Sequence, residues 1–303
     1  MNTTFQHNQG EPQTFPGVYA TDLLSNKSLA WIDHAVKTSS APFFLAINPV
    51  NPHNNLDWHS QLFTPPIPAE RYDKAFPNAK VPRNAAFNPD KPSGVSWIKE
   101  LKKLNDSDIE AGDQYYRRRL QALLAVDDLV NKTIARLEQH KLLNNTYIIY
   151  TSDNGFHISQ HRLGPGKRCP YEEDINVPLV IRGPGVPKGS TVEFVTSHTD
   201  ITPTIVELAG ARGPGDFDGM AIPLHGPLEN SSSTQNWEHV QIEFWGASSD
   251  GAGDPQGATI NTYKALRVIA HGYSLYYSFW CSGDHEVYDM IVISPLPIYI
   301  YMT

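Results

Sequence analysis

The chain has 303 residues, 40% hydrophobic and 18% charged, which is enough for a sizeable core in one large or two smaller domains. Its formal net charge is −8 and it has no basic stripe, which argues against a nucleic-acid partner. No apolar stretch reaches the ~20 residues that a membrane span needs. The polar N-terminus also lacks the apolar core of a signal peptide.

Glycosylation signals and cysteines bear on the cellular compartment. Two cysteines, Cys169 and Cys281, either form one disulfide or are two buried thiols. Multiple Asn-x-Ser/Thr sequons are typical of a glycosylated secretory protein. They conflict with the absence of a signal peptide, and a chain that begins after the natural start would resolve the conflict. The six sequons are at Asn2, Asn26, Asn105, Asn131, Asn144 and Asn230.

The N-terminal half predicts two amphipathic helices and one buried strand. Apolar residues recur at helical spacing over 19–38 and again over 113–140. Residues 43–47 form a short apolar run between two prolines, which predicts a buried strand. Residues 48–112 are rich in Pro and Asn without periodicity, a pattern typical of a functional or partly disordered loop.

The second half alternates strand and helix, with strands predicted at 146–151 and 178–182 and a helix at 200–209. This alternation predicts an α/β sandwich with a mostly parallel central sheet. Beyond residue 236, successive short strands predict a small antiparallel C-terminal sheet. They are expected at 240–245, 263–270, 275–280 and 286–290, so the predicted divisions are a main domain at 1–235, a small subdomain at 236–290 and an aberrant apolar tail at 291–303.

Polar side chains follow the strand at 146–151 directly. Asp153 and Asn154 place two oxygen donors at its carboxyl end, where open α/β sheets bind ligands, and Gly155 lets the backbone turn away. Hard oxygen donors suit Ca²⁺ or Mg²⁺. The alternative is an ordinary strand-to-loop turn, for which Asp-Asn-Gly is equally suitable.

Cationic or titratable side chains lie further along the same loop. His157, His161, Lys167 and Arg168 either hold an anionic group against a metal or belong to a solvated polar loop. His53 follows the predicted strand at 43–47 and is either incidental or part of the same site. Taken together, these strand ends predict an anion-binding metal site.

Two long motifs identify a family. The segments TSDNGFHISQHRL (151–163) and GKRCPYEEDINVPLVIRGPG (166–185) closely resemble the type I sulfatases of the alkaline phosphatase superfamily. The resemblance is greatest to the fungal arylsulfatase and N-acetylglucosamine-6-sulfatase-like branch. Residues 42–53 and 200–210 resemble further segments of the family, and the likeness runs with gaps from about residue 10 to about residue 290.

The resemblance implies an alkaline-phosphatase-like sandwich with a small C-terminal domain. It implies Ca²⁺ held by four oxygen ligands, two from an N-terminal Asp-Asp motif and two that match Asp153 and Asn154. The nucleophile of the family is a hydrated formylglycine, made from the cysteine of a Cys-x-Pro-Ser-Arg motif, and Asp153 would orient or deprotonate it. The implied substrate is a small-molecule or glycan sulfate ester, and the implied location is the secretory pathway, the extracellular space or the vacuole.

Four further roles are carried over from the family by position. Lys167 would contact the sulfate oxygens, and His53 would help to protonate the leaving oxygen. His157 and His161 would line the substrate pocket.

The sequence departs from the family at the nucleophile. It has no Cys-x-Pro-Ser-Arg motif, and no Asp-Asp motif precedes His53. We therefore expect residues 1–235 to be a partial sulfatase catalytic domain in a truncated, inactive form. Two other hypotheses stay open: a non-catalytic remnant that binds an anion or glycan, and a phosphodiesterase of the same superfamily, which would normally have Asp-His-Gly where this chain has Asp153, Asn154 and Gly155.

Overall fold

The computed structural model describes residues 2–57, 62–92, 94–192, 194–213, 215–225, 238–245, 262–293 and 300–302. The chain divides into two units. The first comprises Met1–Val81 and Asn105–Thr146, and the second comprises Pro82–Leu104 and Tyr147–Thr303. The sequence-based divisions at residues 235 and 290 stay a prediction, and residues 294–299 and 303 of the predicted tail lie outside the described residues.

Helices and strands are numbered in chain order within the described residues. The helices are α1 (Ala20–Thr38), α2 (Ser96–Lys99), α3 (Asp106–Gln139), α4 (Glu172–Ile175), α5 (Ile201–Leu208) and α6 (Met290–Ile293). The strands are β1 (Asn2–Phe5), β2 (Gln13–Pro16), β3 (Asn55–Asp57), β4 (Leu62–Thr64), β5 (Ile148–Thr151), β6 (Leu179–Arg182), β7 (Ser190–Val192), β8 (His239–Phe244), β9 (Tyr263–Ala270), β10 (Tyr273–Trp280), β11 (His285–Asp289) and β12 (Ile300–Met302). Short 3₁₀ helices occur at Glu70–Tyr72, Leu143–Asn145 and His198–Asp200.

Both predicted N-terminal helices are present. Helix α1 matches the prediction over 19–38, but α3 begins at Asp106 rather than at residue 113. The earlier start follows from a capping box: Asn105 Oδ1 accepts from the backbone N–H of Asp108 at 3.0 Å, and Asp108 Oδ2 accepts from the N–H of Asn105 at 3.1 Å. The polar first turns of α3 carry no apolar stripe, so periodicity alone missed them.

The strand predicted at 43–47 is wrong. These residues form no strand and pair with no other described strand, and Phe44 is 67% exposed. Phe43 instead packs edge-on against Trp31 of α1, with ring centroids 5.4 Å apart. The apolar residues at 43–47 therefore reflect packing against a helix, as Phe43 does, and not pairing in a sheet. The long region that follows contains the β3–β4 hairpin, the 3₁₀ turn at 70–72 and α2.

The first unit is built on the contact between α1 and α3. Leu23 and Ile32 of α1 are buried, as are Val126 and Leu129 of α3, so the apolar stripes of the two helices form the core. Arg71 strengthens the pair, since its guanidinium lies 2.7 Å from a carboxylate oxygen of both Asp22 (α1) and Asp128 (α3).

The second unit contains a four-stranded sheet with the order β5-β6-β12-β7. The α/β fold class is confirmed, but the described pairs of this sheet are mixed rather than mostly parallel. Only β6 and β12 are parallel, whereas β5–β6 and β12–β7 are antiparallel. The connection from β5 to β6 covers residues 152–178 and contains the four-residue α4.

The predicted small C-terminal sheet is confirmed. It is fully antiparallel in the order β11-β10-β9-β8. Its inner face packs Tyr263 and Trp280 into one core cluster with Trp97 of α2 and with Cys169 and Tyr171 of the long loop after β5. That loop is therefore seated on the C-terminal sheet.

No disulfide joins Cys169 to Cys281 in the structure, which rejects the first alternative. Cys169 is buried and Cys281 is exposed, so the alternative of two buried thiols holds only for Cys169. Within the described ranges, no helix combines the length and the apolar character required to cross a membrane.

Candidate functional site

The candidate site is the turn that follows β5. The carboxylate of Asp153 is exposed, and among the described residues its hydrogen-bond contact is the hydroxyl of Ser152 at 3.3 Å. The amide of Asn154 is oriented by its own backbone neighbour, because Nδ2 donates to the carbonyl oxygen of Gly155 at 2.6 Å. Asn154 Oδ1 is thereby left to accept from other groups. The carbonyl oxygen of Ser152 lies 2.8 Å from His198 Nε2, which ties the turn to the 3₁₀ helix at 198–200.

Lys167 returns to this turn from the far end of the loop. Its ammonium Nζ donates to Asn154 Oδ1 at 2.9 Å, across a sequence separation of 13 residues. A metal-ligand candidate and an anion-binding candidate thus lie in direct contact. The Lys167 side chain is half-buried, so its charge is partly withdrawn from solvent screening.

Gly155 is required by the close approach of two backbone segments. A Cβ atom built at this position would lie 2.0 Å from the carbonyl oxygen of Glu173. The N–H of Gly155 donates to the carbonyl oxygen of Asp174 at 2.8 Å, and the N–H of Phe156 donates to that of Glu173 at 2.6 Å. The turn is consequently bonded to α4.

His157 points away from solvent and towards Asp174. Its side chain is 4% exposed and that of Asp174 is 3% exposed. His157 Nδ1 lies 2.9 Å from both carboxylate oxygens of Asp174, so Nδ1 carries the proton. The same carboxylate accepts the backbone N–H of Cys169 at 2.8 Å. His157 therefore contacts Asp174. Its predicted role in lining the substrate pocket stays a prediction.

His161 packs against an aromatic ring. Its imidazole stacks on Tyr171 with ring centroids 4.0 Å apart, and its Nδ1 atom is buried without a hydrogen-bond partner among the described residues. Burial, followed by the charge of His157, lowers the pKa of His161 to about 4. His161 is therefore a neutral side chain at neutral pH and supplies no positive charge to an anion. Its predicted role in substrate binding stays a prediction.

The loop between His157 and Cys169 contains left-handed backbone at four non-glycine residues. They are Ser159, His161, Arg162 and Arg168, with φ of 71°, 54°, 67° and 87°. Such conformations persist where surrounding contacts enforce them. Arg162 supplies part of that enforcement, since its guanidinium donates to the carbonyl oxygens of Pro89 and Leu101 at 2.9 Å. Arg162 thus stabilises the conformation of the loop.

His53 belongs to the first unit, in a loop whose flanking residues are anchored. Asn51 Nδ2 donates to the carbonyl oxygen of Ala122 at 3.0 Å, and Arg119 donates to that of Pro52 at 3.0 Å. His53 itself is exposed, and its Nδ1 lies 2.9 Å from the carbonyl oxygen of Asn54. Because a carbonyl oxygen only accepts, Nδ1 holds a proton and Nε2 is the atom that can gain or lose one.

The donor set after β5 fits part of a Ca²⁺ site. Asp153 offers an exposed carboxylate, and Asn154 offers an amide oxygen that already attracts the cationic Nζ of Lys167. Both are the hard oxygen ligands that Ca²⁺ prefers, but Ca²⁺ takes six to eight oxygens. These two residues can therefore supply one side of its coordination shell. A separate trio of His157, Cys169 and Asp174 places potential ligand atoms within 4.8 Å of one another, but its carboxylate is already occupied by two N–H donors.

The acidic helix α4 and its supports are functional candidates that the sequence pattern did not predict. Asp174 binds both ends of the loop, Glu172 pairs with the buried Arg267 at 2.7 Å, and Tyr171 donates to the buried Glu286 at 3.0 Å. The signal was the acidic run at 172–174, which is easily mistaken for a solvated turn.

Comparisons with known proteins define the class. Residues 2–211 match the family model described as Sulfatase. The sulfatase ppz1 of Metarhizium majus (strain ARSEF 297) is 42% identical over 276 residues, and the N-acetylglucosamine-6-sulfatase of Bos taurus is 35% identical over 291 residues. The chain belongs to the sulfatase family, among the type I sulfatases of the alkaline phosphatase superfamily.

A solved structure supports the fold. BT4656, determined in complex with its substrate D-glucosamine-2-N,6-O-disulfate, superposes with a TM-score of 0.73 at 19% identity, covering 94% of this chain and 65% of that one. The alkaline-phosphatase-like fold class is thereby confirmed. The matches to the Metarhizium and Bos relatives cover 91% and 89% of this chain but 59% and 49% of the relatives, so the chain spans about half the length of these relatives.

Proposed function

We propose that this chain carries the calcium-binding and sulfate-binding part of a sulfuric ester hydrolase site that acts on sulfate monoesters. The observation that carries the proposal is the contact of Lys167 Nζ with Asn154 Oδ1 beside Asp153, at the carboxyl end of β5. One ammonium and two oxygen ligands adjoin there, as binding of a metal-bound anion requires. Membership of the sulfatase family gives this arrangement its substrate class.

In this proposal, each residue of the turn has one task. Asp153 and Asn154 hold Ca²⁺, and Asp153 also orients the nucleophile. Lys167 binds the sulfate oxygens and offsets the negative charge that builds up on them during the reaction. Bound Ca²⁺ would polarise the sulfuryl group as a Lewis acid.

His53 is proposed to assist departure of the alcohol or phenol. The hydrogen bond from Nδ1 to the Asn54 carbonyl oxygen fixes the ring, so that Nε2 carries the transferable proton. A protonated Nε2 donates to a leaving oxygen, and an unprotonated one accepts from an incoming hydroxyl group.

The proposed substrate is a sulfated sugar, with aryl sulfates as test compounds. The name of the Bos taurus relative and the substrate bound to BT4656 support this choice, since both refer to sulfated glucosamine derivatives. A secretory or vacuolar location is proposed from the sequons. Four of the sequon asparagines are exposed and can carry a glycan on the surface: Asn26, Asn105, Asn131 and Asn144.

We further propose that the chain by itself does not turn over sulfate esters, because its 303 residues contain no Cys-x-Pro-Ser-Arg motif from which formylglycine is made. The test compares two proteins from a secretory host. One is the chain, and the other is an extended form fused at its N-terminus to a sulfatase segment with that motif.

Both proteins are assayed with 4-nitrophenyl sulfate and bis(4-nitrophenyl) phosphate in Ca²⁺. Sulfatase activity in the extended form alone, lost with Lys167→Ala, supports the proposal. Turnover by the chain itself would contradict the missing-nucleophile argument, and a preference for the phosphate diester would favour the phosphodiesterase hypothesis. Sulfate binding without turnover in either protein would favour the non-catalytic hypothesis.

A further inference from the structure

One acidic residue ties together both arms of the loop that carries Lys167. The carboxylate of Asp174 accepts His157 Nδ1 at 2.9 Å on the outgoing arm and the N–H of Cys169 at 2.8 Å on the returning arm. Its backbone carbonyl oxygen accepts the N–H of Gly155 at 2.8 Å, beside Asn154. Asp174 therefore contacts the loop at three positions, and Lys167 is flanked by two of them.

The two arms are also bonded to each other next to Lys167. The N–H of His157 donates to the carbonyl oxygen of Gly166 at 2.9 Å, and the N–H of Gly166 donates back to His157 at 3.0 Å. Lys167 thus lies between this backbone pair and the anchored N–H of Cys169. The φ of 87° at Arg168 shows that the backbone is held in an unfavourable conformation there, which requires firm anchors on both sides.

Helix α4 is in turn fixed on the C-terminal sheet. Arg267, buried in β9, pairs with Glu172 at 2.7 Å, and Glu286, buried in β11, accepts the hydroxyl of Tyr171 at 3.0 Å. The two carboxylate oxygens of Glu286 also accept hydrogen bonds from Ser278, Trp280 and Tyr288, which fix the Glu286 side chain. Asp174 therefore projects from a rigid support towards a strained loop.

We propose that Asp174 and His157 form a positioning pair that holds Lys167 against Asn154. The effect of this pair on catalysis rests on the proposed function. In this role the pair acts on the reaction through the position of the Lys167 ammonium and not by its own contact with substrate or metal. Second-layer hydrogen bonds of this kind orient the groups that contact a ligand, and their loss commonly costs about 10- to 100-fold in affinity or activity.

The test compares two substitutions of His157, one that keeps a hydrogen-bond donor for Asp174 and one that removes it. His157→Asn keeps an N–H near the place of Nδ1, whereas His157→Leu fills the volume without a donor and leaves the buried carboxylate short of a partner. The matched control is Asp113→Asn in the first unit, a buried carboxylate that accepts the N–H of Val81 at 2.9 Å.

The first readout is amide hydrogen exchange of the chain itself, which needs no enzymatic activity. We expect His157→Leu to raise exchange of residues 159–169 by about tenfold or more while strands β9 and β10 keep their wild-type protection. His157→Asn should restore most of the protection, and Asp113→Asn should leave residues 159–169 unchanged. Unchanged exchange with His157→Leu, or a uniform rise across the second unit, would overturn the positioning role.

The second readout is kinetic, in the extended form. We expect kcat to fall about 10- to 100-fold for His157→Leu with KM changed little, and to recover with His157→Asn. If kcat and KM fell by the same factors in both His157 variants, the proposal would be contradicted. An extended form without any sulfatase activity would sink the proposed function but leave the exchange experiment to decide the positioning pair.

Discussion

Lys167 Nζ donates a hydrogen bond to Asn154 Oδ1 at 2.9 Å, although the two residues are 13 positions apart in the chain. The contact joins the two ends of the loop that follows β5. It places a positive charge beside Asn154 Oδ1, one of the oxygen atoms proposed to bind Ca²⁺.

Lys167→Ala should abolish the anion-binding function. In the extended form we expect kcat on 4-nitrophenyl sulfate to fall about 10²- to 10³-fold, which is typical when one charge-stabilising donor is removed. In the chain itself, inorganic sulfate binding measured by calorimetry should be lost. Lys188→Ala removes an exposed lysine of the same unit and should leave both quantities unchanged. Equal effects of the two substitutions would show that only net charge matters.

Asp153→Ala should weaken Ca²⁺ binding by at least about tenfold, because affinity at oxygen sites depends on the number of charged ligands. Calorimetric titration of the chain with CaCl₂ measures the effect. Asp216→Ala also removes an exposed carboxylate and is the matched control. Retention of wild-type Ca²⁺ affinity by Asp153→Ala would remove Asp153 from the ligand set.

Gly155→Ala should destabilise the protein by about 1–3 kcal/mol, the usual cost of forcing extra atoms into a packed region. The added Cβ would lie 2.0 Å from the backbone oxygen of Glu173, so α4 and the turn must separate. Urea unfolding gives the free energy. Gly215→Ala is the control, since a Cβ there meets nothing within 4 Å. Similar losses for both variants would argue against the close approach.

Lowering the pH should destabilise the protein through His161. The unfolded residue takes up its proton near 6.5, while burial lowers the folded pKa to about 4. The unfolded state binds more protons between these values, so stability falls as the pH drops from 6.5 to 4 and is independent of this group above 6.5.

The full effect corresponds to about 3 kcal/mol from the difference in pKa. His161→Phe retains an aromatic ring to stack on Tyr171 and should flatten the curve of unfolding free energy against pH over that window. A variant whose slope equals that of the wild type would mean that His161 titrates normally.

Removal of the α3 cap should cost about 1 kcal/mol of stability. Asn105→Ala deletes the side-chain oxygen that accepts the N–H groups of Ser107 and Asp108, at 2.9 and 3.0 Å. Asn105 is also a sequon asparagine, so Ser107→Ala provides the control: it removes the sequon but retains the cap. Thermal unfolding of protein from a bacterial host, where no glycan is added, separates the two effects. Equal stability of Asn105→Ala and Ser107→Ala would contradict the capping contribution.

Local pattern was a reliable guide where the signal is carried by neighbours in sequence. The periodicity over 19–38 gave α1, the alternating segments beyond residue 236 gave all four strands of the C-terminal sheet, and the order of Asp153, Asn154 and Gly155 gave the turn after β5. The motifs from 151 to 185 also gave the family, which the comparisons confirm.

Tertiary structure alone decided which charged groups meet. The sequence shows an acidic run at 172–174 but not that Asp174 binds both arms of the loop, because hydrogen-bond partners 17 residues apart depend on the path of the chain. It likewise could not show that His161 is neutral and stacked on Tyr171, since desolvation is a property of the packed state. The strand predicted at 43–47 failed for the same reason: its apolar residues needed a partner, and the fold supplied a helix to Phe43 rather than a neighbouring strand.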